Sequence, residues 1–525
     1  MFTYLNGSLI MQLPAFEFSL TLINSFYANS EFISCNENVL LAYCSVLRLA
    51  FENMLKYTVK NVRFLFAIML CIANMIIYGL KVNVSTAIIG MVKAKPKTDV
   101  PDVGECDFGS SANTTVADID GPYDWSSTQQ GLVVSIYFAG YLIGMFPSGY
   151  FADRFNTKWV LLICVFCNSL FTLLVPVAAG SLYVLYALRF LTGLVSAANL
   201  PIVNVLVGKW VVYEEKSMWV GIIYAGTSLG TVISILTSGW ILNYLGWEMI
   251  FYIHGVLPLI WCVVFAIFFA DNPETQKYIT EEERQLLINT YGHRGPVSTK
   301  VKIPWKSIFT STPFLALIVT NCLGNFCWYF LLTQMPLYMN KMLRFDIKTN
   351  STITCTPYLI NAFTNSALGK GLDYGRRRGW WSQTGARKVA VGISCLPVVV
   401  FLLIIAYIGC NREVTVFLLC LSIVTSGAIF VGHLCNQNDL APNYAGILMG
   451  ITNTPGTISA FVLPALVGAL VESGHTFMQW RYVFWINIIA QLLAFGVFTI
   501  FGSAKIQNWN YPDGVPPAPP SAVSK

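Results

Sequence analysis

Two cations stand inside long apolar stretches of this chain: Lys81, in Ile77-Tyr78-Gly79-Leu80-Lys81-Val82, and Arg189, in Ala187-Leu188-Arg189-Phe190-Leu191. A charge in such surroundings is costly, so it is ordinarily paired or put to use. The acidic residues supply no partner. All 26 Asp and Glu fall in the terminal segments, in polar connectors or at the edges of apolar stretches, the nearest being Glu248, Asp439 and Glu472. Two unpaired cations in one water-lined cavity would hold an anion, Arg offering a planar fork for carboxylate or phosphate and Lys a compact charge. The competing reading sends Lys81 outward to the membrane interface and ties Arg189 to helix carbonyls. Asn83, Tyr137, Asn321, Tyr329 and Asn453 would add hydrogen bonds to such a cavity, or would pack one helix on the next. His254 and His433 are candidate proton sites, because His titrates near neutral pH; hydrogen-bonded packing is the alternative for each.

Other chemistries find little support. The 14 cysteines lie mostly in apolar runs and show no disulfide or zinc framework; Cys164 and Cys167 are spaced CxxC but among apolar neighbours, so no metal or other cofactor is expected. No catalytic constellation points to an enzyme. The formal charge of +6 is spread through short connectors rather than gathered on one polar domain, which argues against nucleic-acid binding.

Membrane-spanning helices must position the two cations. Of the 525 residues, 55% are hydrophobic and 11% charged, against about a quarter charged in an ordinary soluble protein. Crossing about 30 Å of hydrocarbon takes about 20 helical residues, since unpaired backbone groups are not tolerated in lipid. Twelve segments qualify: 66–90, 129–151, 159–180, 182–207, 218–240, 249–270, 313–336, 353–370, 389–410, 414–435, 445–470 and 482–502. The longest polar stretch, 271–312, carries Glu281, Glu282, Glu283 and Arg284, and it separates a first half, 63–270, from a second, 313–502, six spans in each. Residues 1–62 are poorly defined: no secretory signal is evident, because the first basic residue is Arg48, and the run from Val39 to Leu47 is too short to span. Residues 503–525, with Pro516, Pro517, Pro519 and Pro520, read as a disordered cytoplasmic tail.

With the amino end inside, the cytoplasmic connectors hold 16 Lys and Arg and the opposite connectors eight, the asymmetry expected of basic loops retained in the cytoplasm. Two sequons, at Asn113 and Asn350, fall in non-cytoplasmic loops under that topology, where glycosylation is accessible. The first span then runs outward and the fourth inward, which puts Lys81 roughly 14 Å and Arg189 roughly 10 Å below the outer surface. One cavity can contain both.

The halves repeat. Gly149-Tyr-Phe-Ala-Asp153-Arg154-Phe-Asn-Thr-Lys158 follows the second span, and Gly369-Lys-Gly-Leu-Asp373-Tyr-Gly-Arg376-Arg377-Arg378 follows the eighth. Glycine allows close helix approach, while Asp with Arg would form a charge clasp that closes in one conformation and opens in another. An ordinary basic loop would explain a single copy. Two copies in a six-plus-six chain resemble the major facilitator superfamily. That resemblance implies an all-α membrane fold of twelve transmembrane helices in two halves that rock about a midplane site.

Further motifs narrow the resemblance. Lys81-Val-Asn83-Val-Ser85 is similar to the family's Arg-x-Asn-x-Ser, and Arg189-Phe-Leu-Thr-Gly193-Leu to its Arg-x-x-x-Gly-Leu. Gly246-Trp247, Asp271-Asn-Pro273-Glu, Ile303-Pro304-Trp305, Asn436-x-x-Asp439 and Gly450-Ile-x-Asn453-Thr-x-Gly456-Thr extend the match over about residues 63–509. As a set these resemble the anion:cation symporters, among them sialin, the vesicular glutamate transporters and the sodium-phosphate cotransporters, with the phosphate branch nearest in character. The resemblance implies secondary active transport of a small anion, inorganic phosphate or organic, by a monomer in the plasma membrane or in a vesicle or lysosome membrane. Departures matter as well. Where proton-coupled and sialin-like members carry glutamates, this chain has Ser196 and Thr192, and where glutamate transporters carry Arg and His it has Gly324 and Val134. The coupling ion is therefore expected to be sodium or none rather than a proton. A carrier driven by membrane potential, and a transport-inactive binding protein, are the alternatives.

Overall fold

The computed structural model describes residues 3–5, 8–10, 62–93, 121–212, 215–291, 303–343, 345, 347–471 and 476–511. The chain forms two compact units, Met1–Asn61 and Val62–Lys525. In the first, the described residues are a small antiparallel pair, β1 (Thr3–Leu5) and β2 (Ser8–Ile10), with Tyr4 opposite Leu9. The run Val39–Leu47 lies outside the described residues.

The second unit is helical. In its first half, α1 (Val62–Met91), α2 (Ser127–Arg154), α3 (Thr157–Ala178), α4 (Leu182–Ser196), α5 (Asn199–Trp210), α6 (Lys216–Leu245) and α7 (Trp247–Phe268) follow one another. Two short helices, α8 (Glu281–Tyr291) and α9 (Trp305–Thr310), lie in the linker. The second half has α10 (Thr312–Lys341), α11 (Ile347–Arg377), α12 (Gln383–Ile408), α13 (Arg412–Ser426), α14 (His433–Leu440), α15 (Ala445–Leu470) and α16 (Phe477–Phe501). Among the described residues, ten elements are long and apolar enough to cross a membrane, counting α4 with α5 and α13 with α14 as one span each. The 31-residue α11 and the 26-residue α15 bring the long elements to the expected twelve.

Local chemistry sets the helix ends. Ser126 with Gln129, and Thr476 with Gln479, form reciprocal capping boxes at α2 and α16. Asn156, Ser382 and Asn411 accept backbone N–H bonds at the starts of α3, α12 and α13. Two spans expected to be continuous are interrupted. The fourth breaks at Ala197–Ala198, and the tenth passes through a short 3-10 turn, Gly427–Ile429, before α14. The eighth is longer than the expected 353–370, so Asn350 stands in the first turn of α11 rather than in a loop; Asn113 lies outside the described residues. Residues 503–511, expected to open a disordered tail, pack against α14 and the turn after it: the Gln507 N–H donates to the Leu440 carbonyl at 2.9 Å and the Asn443 amide to the Asn510 carbonyl at 3.0 Å. Cys410, in the polar turn between α12 and α13, is disulfide-bonded, against the expectation of no disulfide; the other described cysteines are free.

Large apolar side chains such as Ile143, Val177, Ile260 and Ile500 cover the outside of the bundle, as suits a surface facing lipid. The halves meet through glycine. A Cβ at Gly149 in α2 would stand 2.6 Å from the Gly446 carbonyl of α15, and one at Gly369 in α11 would stand 2.3 Å from the Ser217 carbonyl of α6. Both helix pairs approach too closely for any side chain at those points.

Candidate functional site

Lys81 projects from α1 into a cage of four aromatic rings. Its Nζ lies 5.2 Å from the ring centre of Tyr78, 4.8 Å from Phe138, 5.4 Å from Tyr141 and 5.5 Å from Tyr329. Tyr78 is one turn back on α1, Phe138 and Tyr141 are on α2, and Tyr329 comes from α10 in the other half. The ring faces attract the ammonium electrostatically and without a counter-charge. Arg189, on α4, is 2% exposed, its guanidinium 4.9 Å from the centre of the Tyr137 ring and its Nε donating to the Val133 carbonyl at a long 3.4 Å.

The two cations flank one aromatic strip on α2. Tyr137, under Arg189, is 5.5 Å from Phe138 and 6.1 Å from Tyr141, both walls of the lysine cage. Phe138 in turn meets Tyr329 edge-on at 6.1 Å. Among the described residues no carboxylate pairs with Lys81 or Arg189. The arrangement presents two positive groups in an apolar, π-lined setting where an entering anion would be the missing counter-charge.

The other residues expected at this site divide. Tyr137 and Tyr329 stand against the cations. Asn321 donates to Asn453 Oδ1 at 3.1 Å and to the Thr452 carbonyl at 2.8 Å, joining α10 to α15 within the second half. Asn83 is buried with neither amide atom hydrogen-bonded to the described protein, and two residues beyond Lys81 it points to a different face of α1. Ser196 donates to Asn168 Oδ1 at 2.5 Å and Thr192 to the Leu188 carbonyl at 2.7 Å, so neutral pairs occupy the places discussed for coupling carboxylates. His254 is hydrogen-bonded to Thr237 at 2.9 Å between α7 and α6. His433 is buried inside the second half, lining a small cavity with Gly324, Trp328, Ser394 and Gln491. Neither histidine touches the cations. The cage residues Tyr78, Phe138 and Tyr141 were not foreseen, since aromatic residues are common throughout these spans and only the fold brings three helices around Lys81.

At the basic end the expected clasps take a different form. Asp153 accepts from the Gly446 N–H at 3.1 Å and the Ile447 N–H at 2.7 Å, in the first turn of α15. Asp373 accepts from the Met218 N–H at 2.8 Å, in the first turn of α6. Each aspartate therefore caps a helix of the opposite half, where unsatisfied N–H groups and the positive end of the helix dipole make a carboxylate welcome. Peptide N–H groups donating to Asp join the halves here, with Arg154 and Arg376 near enough to Asp153 and Asp373 to add charge attraction. The basic members of the motifs make further contacts of their own: Arg154 lies over the Tyr150 ring at 5.5 Å, Lys158 donates to the Ala266 carbonyl at 2.7 Å, Arg376 donates to Gln383 at 3.0 Å, and Arg377 is exposed.

Between these caps lies an ionic cluster that the sequence reading missed. Asp439, at the end of α14, accepts from Lys216 of α6 at 3.0 Å and from Arg387 of α12 at 2.6 Å, all three buried. Arg387 also donates to Ser217 at 2.9 Å and to the Val431 carbonyl at 2.7 Å. Lys209 similarly pairs with Asp271 at 2.6 Å. These cations were expected in solvated connectors, but the helices extend further than the apolar runs and carry them inside. The signal available in the sequence was Asp439 in its Asn436-x-x-Asp439 motif.

Comparison with known proteins agrees with this architecture. Residues 70–382 match the model of the Major Facilitator Superfamily. The chain is 33% identical to sialin of Ovis aries over 83% of its own length and 88% of that protein. It is 31% identical to a Drosophila melanogaster protein named "Putative inorganic phosphate cotransporter", over 83% of this chain and 84% of that one. Among solved structures, a proton:xylose symporter of the same superfamily superposes with a TM-score of 0.63 at 13% identity, covering 85% of this chain and 97% of the symporter. At that identity the likeness speaks for the fold. The chain is a multi-pass membrane transporter rather than an enzyme, and it belongs to the major facilitator superfamily, in the family that includes sialin.

Proposed function

We propose that this protein carries a small anion, inorganic phosphate or an organic anion, across the bilayer by alternating access, with Lys81 and Arg189 as its binding groups. The observation that carries the reading is the pair of cations on one aromatic strip without a carboxylate partner among the described residues. The names of the relatives, sialin and phosphate cotransporter, support the substrate class. Asp153, Asp373 and the Asp439 cluster tie the halves together at the basic end, so passage of the anion would require those contacts to part while the halves rock. Tyr329 would couple the events, since it is the wall of the lysine cage contributed by the second half.

The Ser196–Asn168 pair favours sodium coupling or the membrane potential over protons, because a neutral pair holds no exchangeable charge at neutral pH. Potential alone supplies about 2.3 kcal/mol per charge per 100 mV. The deciding experiment is reconstitution of the full chain in liposomes, with uptake of phosphate, glutamate, sialic acid and urate measured under imposed sodium, proton and voltage gradients. Sodium-dependent uptake of one anion is expected. Flux that follows voltage without sodium would leave the potential-driven carrier, and absence of uptake under every gradient would leave a transport-inactive binding protein.

A further inference from the structure

The junction of α11 and α12 gathers Lys370, Arg376, Arg377, Arg378 and Lys388 around a five-residue turn. The single carboxylate in that stretch, Asp373, is turned inward to the Met218 N–H. The turn is held rather than loose: the Arg378, Gly379 and Trp380 N–H groups each donate at 3.0 Å to carbonyls of the last turn of α11, and the Trp381 indole donates to the Leu372 carbonyl at 3.1 Å. Gly379, at φ 76°, supplies the left-handed residue the turn requires. Trp380 is left 66% exposed, ring to ring with Tyr374 at 5.8 Å, and Arg378 hydrogen-bonds the Tyr374 hydroxyl at 3.0 Å. The equivalent junction of the first half is unlike it. Arg154 and Lys158 are its only cations, and Lys158 is spent on the Ala266 carbonyl.

Arg376 and Arg378, held by Gln383 and Tyr374, with Arg377 exposed beside them and Trp380 and Tyr374 at the surface, at the end of the bundle that its charge excess assigns to the cytoplasm, match the chemistry of lipid headgroups. We propose that this junction binds the phosphorylated headgroup of an anionic lipid of the cytoplasmic leaflet. The arginines take phosphate oxygens through their planar forks, and Trp380 lies at headgroup level against the acyl boundary. The site is independent of the transported anion.

Native mass spectrometry of the purified full chain, offered phosphatidylinositol 4,5-bisphosphate or phosphatidylcholine, tests it. Preferential retention of the phosphoinositide is expected, with a loss of about 25-fold in the Arg377→Gln/Arg378→Gln variant, from roughly fivefold per basic residue. Trp380→Ala should lower retention several-fold. All these side chains are exposed, so melting temperatures should stay within a degree or two. Unchanged phosphoinositide retention in the double arginine variant would overturn the proposal. So would equally tight binding of soluble inositol trisphosphate together with indifference to Trp380→Ala, which would identify a site for free phosphates instead.

Discussion

Arg189 and Arg387 are both arginines buried in the same bundle, 2% and 0% exposed, and their surroundings differ in one decisive respect. Arg387 has Asp439 at 2.6 Å, a hydroxyl and a carbonyl. Arg189 has a ring face and one long bond to a carbonyl. A buried cation paired with a carboxylate holds elements together, and here it holds α12, α14 and, through Ser217 and Lys216, α6 of the opposite half. A buried cation left without a counter-charge is an unfinished interaction, and its completion is expected from outside the chain. The same contrast separates Lys216, on a carboxylate, from Lys81, in its cage.

The comparison can be broken at either end. The largest effect is expected from Asp439→Asn, which takes from Lys216 and Arg387 the carboxylate they share and should cost about 3–5 kcal/mol of stability. It would be read as a large drop in melting temperature of the purified protein. Arg189→Ala should abolish uptake, by about 100-fold or more, while leaving melting temperature unchanged or raised, because no internal partner is orphaned. A collapse of folding in Arg189→Ala with a stable Asp439→Asn would reverse the assignment. Tyr329→Ala opens the lysine cage without removing a charge; a rise in the half-saturating anion concentration of about tenfold is expected from a cation–π contact of roughly 1–2 kcal/mol. Unaltered uptake would remove the cage from the site. The smallest change belongs to Asp153→Ala, the loss of one interhalf cap worth about 1 kcal/mol. It should increase labelling of a cysteine introduced at the basic end, and undiminished protection there would show that the cap does not hold the halves closed.

Much of the bundle was legible from periodicity and composition, because lipid forces each crossing to be a long, apolar, internally bonded helix. The same logic singled out Lys81 and Arg189, whose charge is conspicuous against an apolar run. Gly149 and Gly369 were also readable as points of close approach. The Asp439 cluster was not, since Lys216 and Arg387 sit beyond the apolar runs and look solvated until the helices are seen to continue past the hydrocarbon. Nor were the breaks in the fourth and tenth spans, where Ala197–Ala198 and Gly427–Ile429 are as apolar as their neighbours.

By itself, then, the order of residues determined that the chain spans a membrane and that Lys81 and Arg189 stand inside apolar runs without a carboxylate beside them, because both follow from the cost of polar groups in lipid. Which partner each charge finds was decided only by tertiary structure. Lys81 and Tyr329, or Asp153 and Gly446, are remote in sequence, and a contact between helices depends on their rotation and crossing rather than on the composition of either one.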